Sequence, residues 1–157
     1  MDNLLRKLPI GIQTFEKLRR GDYLYVDKTD FVWKIASTST PYFLSRPRRF
    51  GKSLLLSTFE AYFEGKRELF EGLAIAGMEK EWKRYPVLHL DLNAEKYDST
   101  RALTEILSRQ LTQWELKYGK GVDEETLAGR FSGVIRRASE QAGCGVVVLV
   151  DEYDKPL

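Results

Sequence analysis

Apolar positions recur in this chain with two periods, and the alternation between them outlines the fold. Phe15 and Leu18 share one face of a short helix expected over Thr14 to Arg20 and stopped by Gly21. Tyr23-Leu24-Tyr25-Val26 is aromatic and β-branched enough for a strand, and Asp27-Lys28-Thr29 turns the chain into a helix over Asp30 to Ala36. Pro41-Tyr42-Phe43-Leu44 reads as a short buried strand. It feeds the basic loop Ser45 to Ser53, after which Leu55, Phe59, Tyr62 and Phe63 recur at helical spacing up to Gly65. Pro86 to Asp91 is a further strand. Two helices follow, one marked by Leu103, Ile106, Leu107, Leu111 and Trp114, the other by Leu127, Phe131, Val134, Ile135 and Ala138. The second opens with Asp123-Glu124-Glu125, acidic residues suited to a helix N-terminus, and Gly143-Cys144-Gly145 ends it. Val146 to Val150 has no alternation, which predicts a strand buried on both faces. Strands alternating with helices imply an α/β fold with a mostly parallel sheet flanked by helices.

Composition narrows this picture. A chain of 157 residues that is 43% apolar has room for one folded domain. Residues 1–40 read as a lead-in segment and 41–157 as the core of that domain. The 25 Lys and Arg against 23 Asp and Glu leave a net charge of +2, which excludes a strongly basic nucleic-acid coat or an acidic solvating tail. No apolar run approaches the length of a membrane span, and Met1 to Lys7 lack a signal-peptide core, so the expected location is cytoplasmic. One cysteine, Cys144, forbids an intrachain disulfide, and with one histidine, His89, a Cys/His zinc site is also excluded.

The sharpest chemical signal is Gly51-Lys52-Ser53 between an apolar strand and an amphipathic helix. In the P-loop pattern G-x-x-x-x-G-K-[ST], backbone N–H groups wrap phosphates, the Lys reaches the β/γ-phosphates and the hydroxyl holds Mg²⁺. The first Gly of that pattern would fall at position 46, where this chain has Arg46. Alone, the tripeptide also suits a solvated basic turn ahead of a helix. The second signal is Val146 to Val150 followed by Asp151-Glu152, the form of a Walker B strand. There the Asp holds the metal and its water shell while the Glu polarises an attacking water. Alone, an acidic pair after a strand also suits a solvated loop. Together the two support one nucleotide site, with Arg46, Arg48, Arg49, Phe50, Gly51, Lys52, Ser53 and Leu54 around the phosphates, Ser53 and Asp151 on Mg²⁺, and Lys52 and Glu152 in catalysis.

Leu8-Pro9-Ile10-Gly11, Tyr25 to Thr29, Phe43 to Ser53 and Val150 to Pro156 resemble the AAA-ATPase-like family of bacteria and archaea. Within that family Arg stands where the usual P-loop has its first Gly, so R-P-R-R-F-G-K-S fits. The resemblance implies a P-loop NTPase-like fold, ATP and Mg²⁺ as ligands, and an ATPase-class activity. Longer members place this region ahead of a domain resembling PD-(D/E)XK nucleases. The related ATPases set a further, later strand between the P-loop and Walker B strands. By that comparison the chain reads as the N-terminal part of a longer protein, stopping just after the Walker B strand and not competent in hydrolysis alone. Its expected partners are the nucleotide, the rest of the same protein and further copies of itself. The rival reading is a non-hydrolysing regulatory or interaction module.

Lesser candidates carry two readings each. Arg46, Arg48 and Arg49 suit phosphates of a nucleotide, or acidic side chains elsewhere in the domain; the balanced charge disfavours nucleic acid. Asp27-Lys28-Thr29 lines a base or caps a helix. Asp91 ends its strand where site residues of open α/β sheets lie, or caps the following loop. His89 and Cys144 read as structural, and Trp33, Trp82 and Trp114 as helix-packing residues.

Overall fold

A computed structural model of the chain describes residues 6–47, 49–93 and 100–154. The chain divides into two compact units, Met1–Arg84 and Tyr85–Leu157.

The first unit is helical. Helix α1 (Phe15–Arg20) begins after Thr14, and Phe15 and Leu18, its expected apolar face, are fully buried. Helices α2 (Thr29–Ala36) and α3 (Lys52–Phe63) follow, then a 3-10 turn (Arg67–Phe70) and the short α4 (Ala74–Met78). Phe15 and Phe70 pack with ring centroids 4.8 Å apart, and Trp82 lies 5.2 Å from Phe70 and 5.9 Å from Tyr62. Burying a side chain such as Phe15 or Phe70 contributes about 1.5–3 kcal/mol, so this aromatic cluster is a large part of the unit's core, beside Leu18, Val32 and Ile75. The 3-10 turn and α4 have no clear period in the sequence. Asp27 and Thr29 supply the caps of α4. The Asp27 carboxylate accepts from the Thr29 N–H (2.9 Å) and hydroxyl (2.7 Å) at the start of α2, and from the Ala74 N–H (2.7 Å) at the start of α4. The Thr29 hydroxyl also accepts from the Ile75 N–H at 3.1 Å. Asp27-Lys28-Thr29 is thus a capping turn, and it serves two helices.

Two expected strands of this unit do not form. Tyr23 makes one bridge with Lys7, and Tyr23 to Val26 otherwise run without a ladder. Pro41 to Leu44 are also without a ladder and are exposed, Phe43 at 71%. Their strand propensity is real, but propensity alone does not make a sheet: beyond the Lys7–Tyr23 bridge neither segment joins a ladder among the described residues.

The second unit is α/β. Strands β1 (Val87–Asp91) and β2 (Val147–Asp151) pair in parallel, and the helices α5 (Thr100–Tyr118) and α6 (Leu127–Ala142) lie between them in sequence. Parallel neighbours require such a long crossover. Leu88, Leu111, Trp114, Tyr118, Val134 and Ala138 form the core where α5 and α6 cover β1. Helix α6 starts at Thr126, whose hydroxyl accepts from the Gly129 N–H at 3.0 Å. Asp123-Glu124-Glu125 therefore precede the helix rather than open it. Gly143 ends it in the left-handed conformation, φ 64°, that glycine adopts without a Cβ clash. Strand β2 is not buried on both faces. Leu149 and Asp151 are buried, while Val148 and Val150 on the alternate face are 41% and 40% exposed. The unbroken apolar run encodes a strand, but α5 and α6 cover only part of its width.

Candidate functional site

The loop ahead of α3 is shaped by two left-handed residues. Gly51 (φ 77°) is the N-cap of α3, and Arg49 (φ 66°) takes the same region two positions earlier. Gly51 has no side chain with which to cap the helix, so the first N–H groups of α3 point outward unclaimed by a cap. Lys52, Ser53 and Leu54 stand half-buried on that first turn, which contains no acidic residue. Arg46, Arg49 and Phe50 are exposed on the loop, and Arg48 lies outside the described residues. A helix N-terminus flanked by cations and free of carboxylates is suited to an anion. Helix α3 is held against α1 by Ser57, whose hydroxyl accepts from the Phe15 N–H (2.9 Å) and donates to the Leu54 carbonyl (2.8 Å). This fixes the direction in which the N-terminus points.

In the second unit the acidic residues collect at the C-terminal ends of the strands. Asp91 is the register partner of Asp151. Asp151 is 6% exposed, and its Oδ1 accepts from the Glu152 N–H at 2.9 Å. Glu152 turns sharply out of the strand with φ 53°, a rare conformation for a residue with a Cβ. Asp91 is exposed, and its Oδ1 accepts from the Asn93 N–H at 2.8 Å, so it caps the following loop. The strand-end carboxylates supply hard oxygen donors of the kind Mg²⁺ takes, usually one or two alongside substrate phosphates. Among the described residues no three His, Cys, Asp or Glu cluster into a self-sufficient metal cage.

The loop residues Arg46, Arg49, Phe50, Gly51, Lys52, Ser53 and Leu54 thus come together in the first unit, and Asp151 and Glu152 in the second. His89 sits beside Leu149 in the β ladder, and the Cys144 carbonyl accepts from the Ser139 hydroxyl at 2.8 Å. Trp114 packs on Phe131 with centroids 6.0 Å apart, as expected of a helix-packing residue.

Two buried ion pairs had no sequence signal. Arg130 forks onto Glu115 (2.8 Å for both bonds) and also donates to the Ser108 hydroxyl at 2.7 Å. Arg137 forks onto Glu124 at 2.6 and 2.9 Å. A cavity of about 670 Å³ is lined by residues that include Glu115, Glu124, Lys120 and Val122, but its two buried carboxylates are already committed to these arginines. Hydrogen bonds from Arg130 outweigh burial and hold the Glu115 carboxyl below the usual range. The cavity therefore offers charge already neutralised rather than a reactive group.

Comparison with known proteins bears on the family of the chain. A protein of Azotobacter chroococcum mcd 1, described as an uncharacterized protein in the vnfD 5' region, is 44% identical over 153 residues. The match covers 97% of this chain and 30% of that relative, so the chain spans less than a third of the relative's length. No solved structure matches the chain. The model of the family described as "Predicted AAA-ATPase" matches residues 9–157, and the chain belongs to that family.

Proposed function

We propose that this chain is the ATP-binding module of an AAA-type ATPase. The observation that carries the reading is Gly51 in the left-handed conformation, delivering Lys52 and Ser53 onto the first turn of a 12-residue helix that has no acidic residue there. Membership of the ATPase family supports it. The N–H groups of that turn take phosphate oxygens, and the Lys52 ammonium takes the β/γ-phosphates. Ser53 and Asp151 are the residues to hold Mg²⁺. When bound, the metal supplies neutralisation of phosphate charge and orients the terminal phosphoryl group. Glu152 orients and polarises the water that attacks it. In the longer protein this module couples ATP binding or hydrolysis to a nuclease-like or DNA-associated activity, in a self-associating assembly.

The test is thermal melting with an ATP analogue. A ligand at a hundredfold excess over its Kd stabilises by about 2.7 kcal/mol, roughly 5–10 °C for a chain of this size. The shift is expected with Mg²⁺ and lost with a chelator. Absence of any shift at millimolar analogue contradicts the reading. The non-hydrolysing alternative draws on Arg46 and Arg49, which occupy glycine positions of the usual loop. Glu152→Gln in the longer protein separates the two: an ATPase keeps binding and loses turnover, whereas a non-hydrolysing module has no turnover to lose.

A further inference from the structure

The connection between α5 and α6, residues 119–126, contains one large apolar residue, Val122, and it is 98% exposed. No large apolar side chain therefore holds the connection to the helices. Lys120, Asp123 and Glu125 make no ion pair among the described residues. The polar attachment falls to Glu124. Its carboxylate takes the fork of Arg137, stands 3.9 Å from a nitrogen of Arg136, and accepts from the Gly121 N–H at 3.2 Å.

That carboxylate fills space which two glycines leave empty. A Cβ at Gly133 would overlap both carboxylate oxygens of Glu124, and a Cβ at Gly121 would overlap Oε1. Gly133 is buried in the interior of α6, where only proline is a poorer helix former than glycine. An alanine there would suit the helix better. It would also evict Glu124, because the atoms it meets are the far end of a flexible side chain and give way before the backbone does. Arg137 depends on the same contact: both its terminal nitrogens go to Glu124, and its buried Nε meets no acceptor among the described residues.

Lys120, Val122, Glu124 and Glu125 of this connection line the cavity described above, and α5 and α6 supply the rest of its lining, Glu115 and Arg130 included. We infer that the connection is a lid on that cavity, latched by Glu124 in the slot between Gly121 and Gly133, and that it lifts as a unit when the carboxylate leaves the slot. Gly119, left-handed at φ 92°, is the hinge at one end. Thr126, the cap of α6, is where the motion stops at the other. Lifting uncovers the Glu115–Arg130 pair and leaves the helices packed, because no residue of the hydrophobic core belongs to the connection. One carboxylate thereby governs access to the cavity.

The experiment measures backbone amide exchange by NMR, and tryptic cutting after Lys120, in the 157-residue chain and in its Gly133→Ala and Glu124→Gln variants. In the natural chain the latch itself holds the Gly121 N–H. That amide is expected to exchange about 10- to 100-fold faster in both variants, the change that loss of charge-assisted hydrogen bonds implies. Cutting after Lys120 is expected to quicken with it. The amides of Leu111, Trp114 and Val134 are expected to keep their natural protection, since the lid moves and the helices stay. Gly121 exchange within twofold of the natural chain in either variant overturns the inference, because something other than the latch then holds the connection. An equal rise at Gly121 and at the core amides overturns it too, because the whole unit then opens together. If Gly133→Ala does not fold, Glu124→Gln decides alone by the same two readings.

Discussion

Asp91 lies directly across the parallel ladder from Asp151, as the last of five register pairs running from Val87 and Val147. Side chains of register partners emerge on the same face of a sheet, so two carboxylates stand side by side at the strand ends. Each holds one oxygen in a local turn, Asp91 with the Asn93 N–H and Asp151 with the Glu152 N–H. The sheet thereby places two like charges next to one another at its strand ends, an arrangement that opposes folding.

Asp91→Asn removes one charge and keeps the acceptor that the Asn93 N–H uses. The variant is expected to be more stable than the natural chain by about 0.2–1 kcal/mol in metal-free urea denaturation. Asp151→Asn is expected to abolish the Mg²⁺ dependence of nucleotide binding, whereas Asp91→Asn leaves it in place. Equal loss of Mg²⁺ dependence in both variants would make Asp91 a metal ligand rather than a loop cap.

Asp27→Ala removes the cap of α2 and that of α4 together. Loss of a capping side chain costs about 0.5–2 kcal/mol, and here a reduction of about 2 kcal/mol is expected in denaturant unfolding. Partial burial pushes the Asp27 carboxyl up, but hydrogen bonds from the Thr29 N–H, the Ala74 N–H and the Thr29 hydroxyl together hold it below its usual range. A folded pKa below the unfolded one means that the stabilisation is complete above about pH 4 and is lost as the pH falls through the folded value. Melting temperature measured from pH 6 downward is expected to fall less steeply in Asp27→Ala than in the natural chain. Parallel acid limbs would show that Asp27 contributes no linked protons.

Helix periodicity and end signals were legible in the sequence because each is encoded within a few residues. Gly21 after α1, Gly51 before α3 and Gly143 after α6 mark helix ends by their own chemistry. The 3-10 turn and α4 were not legible, since the groups capping α4 come from Asp27 and Thr29, far upstream. Pro41 to Leu44 has the composition of a strand but no ladder partner among the described residues, and propensity alone does not make a sheet. At the candidate site, Gly51-Lys52-Ser53 could be read as a helix start preceded by cations. The pairing of Asp91 with Asp151 could not, because register is a property of two strands. Nor could the left-handed φ of Arg49 and Glu152, since neither residue type announces that conformation.

Glu115→Ala tests the buried ion pair of the second unit. Side chains of Arg130 and Glu115 are 12% and 6% exposed, so removing the carboxylate leaves a largely buried cation held by Ser108 and Thr112 alone. A destabilisation of about 3 kcal/mol is expected. The double variant Glu115→Leu with Arg130→Met is expected to recover most of it, because an apolar pair leaves no uncompensated charge. A double variant no better than Glu115→Ala would indicate that the arginine's packing, not its charge, is what the helices need.

Calorimetric titration of the chain with a non-hydrolysable ATP analogue and Mg²⁺, repeated for Lys52→Ala, tests nucleotide binding by the α3 loop most directly. Removal of the charge-assisted contact is worth about 1.5–3 kcal/mol, so affinity is predicted to fall about 10- to 100-fold while the variant keeps the melting temperature of the natural chain. Equal affinity in the two proteins would contradict the account.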